Sequence, residues 1–503
     1  MPDSVQLTLF PLKKTIEVER GTPLRDILFT HGVEFPCGGR GRCKGCRIRL
    51  ISGHLPITSP QQKMLSQREL DDGWRLSCQC NADSDLTIEL GQWEASVLSD
   101  DTEFSFTPRE GLGIAVDIGT TTIVAQLLDL SSANVLSVRT ALNPQARYGA
   151  DIMSRISGAV LDGVQPKLVE LVRKQVGKMI GGLLTSHENS DGEVRQVVLV
   201  GNTVMHHLFS NLDIAPLSYY PFESPNLGSQ HFKSRDLGWD IPGDPPVTFL
   251  PCPGGFVGSD ILAGVIATGL HEHTDYTCLI DLGTNGEIVV GNKERILCCS
   301  TAAGPAFEGA GISHGMRAST GAISEVDIED GKLSCAVIGH VPPRGICGSG
   351  LVDAIARMLD LKMVGSDGLI LGENDSIEVC PPITLTQLDI RQLQLAKGAI
   401  AAGVRILLRE MGISSDDVKS VYLAGAFGNY VDSESARRIG LLSFREDQIV
   451  PAGNTALRGA KMTLFLEPEV SANLQKRMVH IGLSTDPDFQ DIFVEEMGFP
   501  ERS

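Results

Sequence analysis

Two short runs in which apolar and polar residues alternate, at 5–10 (VQLTLF) and 13–19 (KKTIEVE), flank Pro11 and predict a β-hairpin. The next stretch, 22–32 (TPLRDILFTHG), changes to helical spacing. Thr22 is placed to cap it, Pro23 fits its first position and Gly32 its stop. Alternation returns at 46–53 (CRIRLISG) and 86–91 (LTIELG), two further strands. Strands, one helix and more strands within residues 1–92 predict a small α+β domain. Residues 93–110 are polar, acidic and weakly periodic, and read as a linker.

From Gly111 the pattern becomes buried strands and helices punctuated by glycine turns. Residues 113–130 (GIAVDIGTTTIVAQLLDL) and 277–292 (TCLIDLGTNGEIVVGN) echo one another: apolar strand, Asp-x-Gly-Thr, apolar strand. The two aspartates are 164 residues apart (281 − 117), which predicts two similar halves. Helices are expected at 165–184 and 393–412, where apolar residues recur every three or four positions. The expected second unit is therefore an α/β domain, 111–503, with lobes of roughly 111–275 and 276–503.

Charge removes one class of function. A net charge of −19 over 503 residues argues against non-specific nucleic-acid binding, which needs basic patches. No apolar stretch is long enough to span a membrane, and the first residues lack the pattern of a secretion signal, so the expected location is cytoplasmic.

Of 12 cysteines, five fall before residue 81, which suggests a metal or cluster site in a reducing compartment. Cys37, Cys43 and Cys46 occupy one glycine-rich loop, FPCGGRGRCKGCRIRL, and a fourth thiolate must come from Cys78 or Cys80. Four thiolates suit a 2Fe-2S centre. Gly38, Gly39, Gly41 and Gly45 would let the backbone wrap closely round it. A structural zinc site is the plainer alternative, but a single distant fourth thiol in place of a second C-x2-C pair counts against it. The loop resembles that of plant-type and adrenodoxin-type ferredoxins, in its C-x5-C-x2-C adrenodoxin-like form. The resemblance implies a β-grasp fold, Cys78 in RLSCQ as fourth ligand, and Cys80 as a spare thiol. The remaining cysteines, Cys252 to Cys380, are expected to be buried and inert.

In the second unit, Gly119, Thr120, Thr121 and Thr122 follow Asp117, and Gly283, Thr284 and Asn285 follow Asp281. Amides and hydroxyls in such turns can hold phosphate oxygens, and the aspartates can orient hydrated Mg2+. A third turn, VYLAGAFGNYVD, offers Gly425, Ala426 and Gly428, small enough for an adenosine to lie against the backbone. Each turn alone is as well explained as a solvated hairpin. In this order the three resemble the phosphate-1, phosphate-2 and adenosine motifs of the actin, Hsp70 and sugar-kinase (ASKHA, RNase H-like) superfamily. Asp117 or Asp281 could position an attacking water, and Glu287 is a weaker candidate for the base. His206 and His207 read as a helix start with a polar surface. The Gly/Ala/Ser-rich stretches 300–319 and 343–354 read equally well as tight junctions or partner-facing loops.

A ferredoxin module moves one electron, and an ASKHA domain changes shape with ATP. The fusion resembles the reductive activators of corrinoid proteins (the RACE family), whose hallmarks LAGAFGNYVD, AAGPAFEGA and ICGSGLVDA match. The resemblance implies ATP-dependent transfer of one electron from the cluster, converting inactive cob(II)alamin to cob(I)alamin. It implies as partners a corrinoid protein of a methyltransferase or O-demethylase system and an upstream electron donor, and leaves a homodimer open. Longer members carry a middle domain between ferredoxin and nucleotide unit, whereas only about 18 residues (93–110) intervene here. The rival readings are an activator of another low-potential enzyme, an electron carrier with a vestigial nucleotide domain, and a small-molecule kinase with a redox sensor. The ferredoxin-type loop argues against the first and intact glycines at all three turns against the second. Sugar phosphorylation with ATP alone would favour the third.

Overall fold

The protein was analysed as a computed structural model. The structure describes residues 4–10, 14–29, 33, 41, 46–90, 104–185, 193–319, 321–428 and 430–501. Two compact units form, Met1–Ala95 with Thr120–Ile123 and Ala141–Gln175, and Ser96–Gly119 with Val124–Thr140 and Val176–Ser503.

The first unit is built on β1 (Ser4–Phe10), β2 (Lys14–Glu19), α1 (Leu24–Phe29), β3 (Arg47–Ser52), α2 (Ser59–Met64), α3 (Gln67–Asp71), β4 (Trp74–Leu76) and β5 (Leu86–Leu90). Strands β1 and β2 pair as the expected hairpin, Leu7 opposite Ile16. The sheet order is β2-β1-β5-β3-β4, with β1 parallel to β5, and Leu24, Ile27 and Leu28 of α1 share its core. This is the β-grasp arrangement. Thr22 does not cap α1, because its hydroxyl donates to Glu19 O instead. The Gly32 stop lies outside the described residues. Helices α2 and α3 and strand β4 carried no legible periodicity.

The next elements are β6 (Leu112–Ile118), β7 (Thr122–Asp129), β8 (Val135–Leu142), α4 (Ile152–Leu161), α5 (Gln165–Thr185), β9 (Val194–Val200), α6 (Thr203–Ser210), β10 (Gln230–Lys233), β11 (Pro246–Phe249) and α7 (Ser259–Thr268). Then follow β12 (Tyr276–Leu282), β13 (Gly286–Gly291), β14 (Ile296–Thr301), β15 (Ala322–Glu329), β16 (Lys332–Val337), β17 (Gly345–Ile346), α8 (Gly348–Asp360), β18 (Ser376–Cys380), β19 (Ile383–Thr386) and α9 (Gln387–Met411). The chain ends with β20 (Val418–Ala424), α10 (Gly425–Gly428), α11 (Ser433–Arg438), β21 (Ile449–Gly453), α12 (Thr455–Thr463), α13 (Pro468–Arg477), β22 (Met478–His480) and α14 (Phe489–Met497).

The internal echo is a fold-level repeat. One sheet runs β10-β11-β9-β6-β7-β8 and the other β21-β20-β12-β13-β14-β22. In each, three parallel strands (β6, β9, β11; β12, β20, β21) continue from the hairpin that contains the Asp-x-Gly-Thr turn. That order is the duplicated RNase H-like core of the ASKHA fold. The expected helices form as α5 and α9. Helix α9 extends back to Gln387 because Thr386 and Asp389 make a capping box.

Helices α7 and α12 follow the last parallel strand of each half and cross at closest approach. A Cβ on Gly459 would lie 1.9 Å from Ala263 O, so only glycine allows the crossing. Gly459→Val is expected to cost about 3 kcal/mol through overpacking, read as a lower urea midpoint. A wild-type midpoint would show that the helices can separate freely.

Candidate functional site

The end of the ferredoxin sheet positions two cysteines. Antiparallel pairing of β3 with β4 places Arg47 opposite Leu76, so Cys46 and Ser77 meet just beyond it. Fully buried Ser77 donates to Cys46 O from its amide at 3.1 Å and its hydroxyl at 2.9 Å. Cys78 follows in a short 3-10 turn, half-buried. Cys80 points into the core at 4 % exposure, donates to Leu76 O at 3.4 Å and accepts from Gln61 Nε2 at 3.7 Å. Burial and neighbouring Cys78 push its thiol up to about 12. Cys37 and Cys43 lie outside the described residues. Gly41, between them in sequence, has φ +66°, and a Cβ there would lie 3.1 Å from the Gln79 side chain and from Pro60. Gly41 thus packs against the segment that carries Cys78. The thiols of Cys46 and Cys78, the described members of the expected set, have the donor chemistry of a 2Fe-2S cluster.

Asp117 and Asp281 occupy equivalent places, each the penultimate residue of the first strand of its half. Their parallel neighbours match too, Asp117 opposite Val200 and Asp281 opposite Ala424. A glycine follows each neighbour. A Cβ on Gly201 would lie 2.6 Å from Ile118 O, and one on Gly425 2.7 Å from Leu282 O. Gly425 also has φ +83° and faces Asp281 Oδ1, 2.6 Å from where its Cβ would be. Side chains at either position would fill the space beside the aspartates.

Two partners went unnoticed in the sequence. Asp260, in the first turn of α7, stands close enough to Asp117 and Asp281 to feel both charges. Ser259 fixes that helix start on β9, donating to Gly201 O at 3.0 Å and accepting from Gly201 N at 3.1 Å. Asn454 caps α12, its Oδ1 accepting from Leu457 N at 2.8 Å, and its Nδ2 donates to Asp117 Oδ2 at 3.2 Å. The Gly-Ser-Asp and Gly-Asn-Thr steps before apolar helices were visible as helix starts. Nothing in them spoke of convergence.

Burial raises Asp117 to about 6 against the opposing hydrogen bond from Asn454. Burial and the Asp117 charge raise Asp281 to about 7. Burial and both aspartates raise Asp260 to about 8, and Glu287, paired with Asp281 across β12 and β13, stands well above the usual carboxylate range. Four carboxylates crowd one site. Among the described residues no three His, Cys, Asp or Glu side chains lie close enough to ligate an ion directly. Crowded carboxylates of this kind suit a divalent cation, whose charge would relieve their repulsion.

Protonation of Asp260 without a cation favours the folded state. Between the unfolded value near 4 and the folded value of about 8, the native protein keeps a proton the unfolded chain has released, so stability from this group falls as pH rises. Asp260→Asn does not titrate. The stability of wild type relative to it, without nucleotide, is expected to decline from pH 5 to pH 8 in urea melts. A constant difference would show that Asp260 ionises normally.

The other expected contacts divide. Gly283 N donates to Asn285 O at 3.0 Å, closing the β12–β13 turn. The Thr284 hydroxyl donates to Glu308 Oε1 at 2.6 Å. After Gly425, Phe427 stacks on Phe307 at 4.5 Å, and a Cβ on Gly348 would lie 1.9 Å from Phe307 O. The stretches 300–319 and 343–354 therefore meet as tight junctions behind the adenosine-type turn. His206 and His207 lie on α6 but are fully buried, contrary to the expected polar surface. His207 bonds to Thr203 O and Ser224 Oγ, and burial lowers His206 to about 3.

Comparison with known proteins agrees with this geometry. Residues 7–83 match the 2Fe-2S iron-sulfur cluster binding domain, 112–273 the RACo middle region, and 275–503 the C-terminal domain of RACo, the ASKHA domain. The middle domain expected to be missing is thus matched by the residues read as the first lobe. The corrinoid activation enzyme RamQ of Eubacterium limosum is 31 % identical, over 98 % of this chain and 99 % of that protein. A Co(II) methylated amine-specific corrinoid protein reductase of Methanosarcina barkeri is 28 % identical over 77 % of each. A solved reductive activator for a corrinoid iron-sulfur protein superposes with TM-score 0.68 at 28 % identity, covering 99 % of this chain and 98 % of that one. Among the described residues no helix is long and apolar enough to cross a membrane. A cluster-binding β-grasp domain, a duplicated nucleotide-type core and end-to-end similarity to RamQ place the chain in the family of reductive activators of corrinoid proteins.

Proposed function

We propose that this protein uses ATP to reduce a partner corrinoid protein from cob(II)alamin to cob(I)alamin, one electron at a time. The observation that carries the reading is the convergence of Asp117 and Asp281, at the matching strand ends of the two halves, with Asp260 at the start of α7, on the same chain as the cysteine site. We read residues 1–92 as the ferredoxin-like domain, 93–110 as linker and 111–503 as the ATP-binding domain. Cys37, Cys43, Cys46 and Cys78 are assigned to the cluster, which supplies one electron near about −400 mV when of plant type.

Asp117 and Asp281 would hold a magnesium ion, which would supply charge stabilisation to the phosphates, and Asn454 fixes the rotamer of Asp117. Backbone amides of the Gly119–Thr122 turn and of Thr284 and Asn285 would face the phosphates across the turn that Gly283 closes, and Gly425, Ala426 and Gly428 would admit the adenosine. One aspartate orients the attacking water, while positioning and charge stabilisation carry the hydrolysis. ATP matters because an acceptor below the donor in potential costs about tenfold in equilibrium per ~59 mV. ATP-driven rearrangement or release can offset this if the two states bind nucleotide differently. A corrinoid protein of a methyltransferase system is the partner, and a separate donor reloads the cluster.

The test mixes the dithionite-reduced protein, Mg-ATP and a cob(II)alamin protein, and follows corrinoid absorption. Cob(I) should accumulate only with ATP present. Equal accumulation without ATP would leave a simple electron carrier.

A further inference from the structure

The phosphate-1 turn and the ferredoxin domain are held by one short segment. Thr120–Ile123, Ala141–Gln175 and the ferredoxin residues belong to the same compact unit. Asn143, fully buried, donates its amide to Thr121 O at 2.7 Å and accepts from Gln145 N at 3.1 Å. Arg155 on α4 is fully buried as well. Its guanidinium donates to Gly149 O at 2.8 Å, to Gln145 Oε1 at 3.3 Å and to Thr120 O. Gln145 is anchored in turn by its Nε2 donating to Leu168 O at 2.9 Å. The Asp151–Ser154 capping box sets where α4 begins and therefore where Arg155 points.

The opposite side of the same segment belongs to the ferredoxin domain. Ala146 is buried in the apolar cluster that contains Leu24, Ile27 and Leu28 of α1, and Leu142 packs against it. Arg147 stands 3.8 Å from Asp26 of α1, the helix that leads into the cysteine loop. A planar guanidinium fork bridging three acceptors fixes geometry in a way a flexible ammonium does not. A shift of Thr120 or Thr121 on phosphate binding must therefore move the segment that α1 rests on.

Building on the reading of residues 117–122 as a phosphate turn, we propose that Arg155 is a positioning residue for that turn and that Asn143–Arg155 transmits its occupancy to the ferredoxin domain. No direct contact of Arg155 with nucleotide is required. The mechanism explains how ATP state could govern where the cluster is presented.

The experiment uses the full-length, cluster-loaded protein and the non-hydrolysable probe Mg-AMP-PNP. Affinity is measured by calorimetry and hydrogen exchange is followed in Leu24–Phe29. In wild type the probe should slow exchange there severalfold. Ala146→Asp should bind the probe normally but lose that response. Arg155→Met should weaken binding about tenfold or more, as loss of charged hydrogen bonds does, with kcat reduced less than KM is raised and the cluster spectrum unchanged. Arg155→Lys should recover part of the affinity. Tight binding to wild type without any exchange response in Leu24–Phe29 would overturn the coupling while leaving the nucleotide site intact. Wild-type affinity in Arg155→Met would overturn its positioning role. No binding to wild type would overturn the nucleotide site first, and the coupling with it.

Discussion

Cys78→Ser is expected to leave the anaerobically reconstituted protein without iron or visible absorption, whereas Cys80→Ser keeps both. The two thiols are two residues apart, yet their surroundings differ in kind. Cys80 is packed among Leu24, Leu76 and Ala82, donates to a carbonyl and is held protonated by burial. Iron needs a thiolate, and a thiol raised to about 12 is a poor source of one. Cys78 is half-buried, in the turn whose preceding serine is tied to Cys46. Losing one of four thiolates removes the site, because cluster binding and loop folding are coupled. Cys80→Ser should cost only about 1–3 kcal/mol for a hydroxyl in an apolar setting. Iron analysis and the visible spectrum decide it. A coloured Cys78→Ser beside a colourless Cys80→Ser would reverse the assignment.

Gly425→Val should abolish measurable nucleotide binding, while Gly428→Ala should change it less than about threefold. Gly425 combines a left-handed backbone with Asp281 Oδ1 and Leu282 O at 2.6 and 2.7 Å from where a Cβ would stand. A branched side chain there is strained by about 1–3 kcal/mol from the backbone alone, and its first carbon displaces the Asp281 carboxylate. At Gly428 an added Cβ meets Leu423, at 3.3 Å from its backbone and 3.5 Å from its Cβ, contacts that a small shift relieves. Fluorescent-nucleotide titration separates the two. Normal affinity in Gly425→Val would mean that the third turn does not border the site.

Legibility followed the range of the interactions. The β1–β2 hairpin, α5 and α9 were readable because local periodicity decides them. The duplicated sheets were readable from the two Asp-x-Gly-Thr turns, since a tight turn between buried strands needs the same residues wherever it recurs. Helices α2 and α3 were missed because each is only a turn or so long, too short for a period to emerge. Thr22 misled because its hydroxyl had a nearer acceptor in Glu19 O. Asp260 and Asn454 were hidden more deeply. Each reads locally as an ordinary helix start, and each gains its role from strand ends that the fold brings to it: Asp117 lies 143 residues from Asp260 (260 − 117) and 337 from Asn454 (454 − 117).

The sequence by itself determined the cysteine spacing, the Asp-x-Gly-Thr turns and the small residues at the third turn. Those demands are set by covalent geometry and backbone sterics within a few residues, so they must be written locally. Tertiary structure alone decided that Cys80 is buried in the core while Cys78 is only half-buried, which carboxylates meet, and that Asn143–Arg155 touches both turn and ferredoxin core. Burial, charge repulsion and buried hydrogen bonds act through space, and only the packed chain brings those atoms within range.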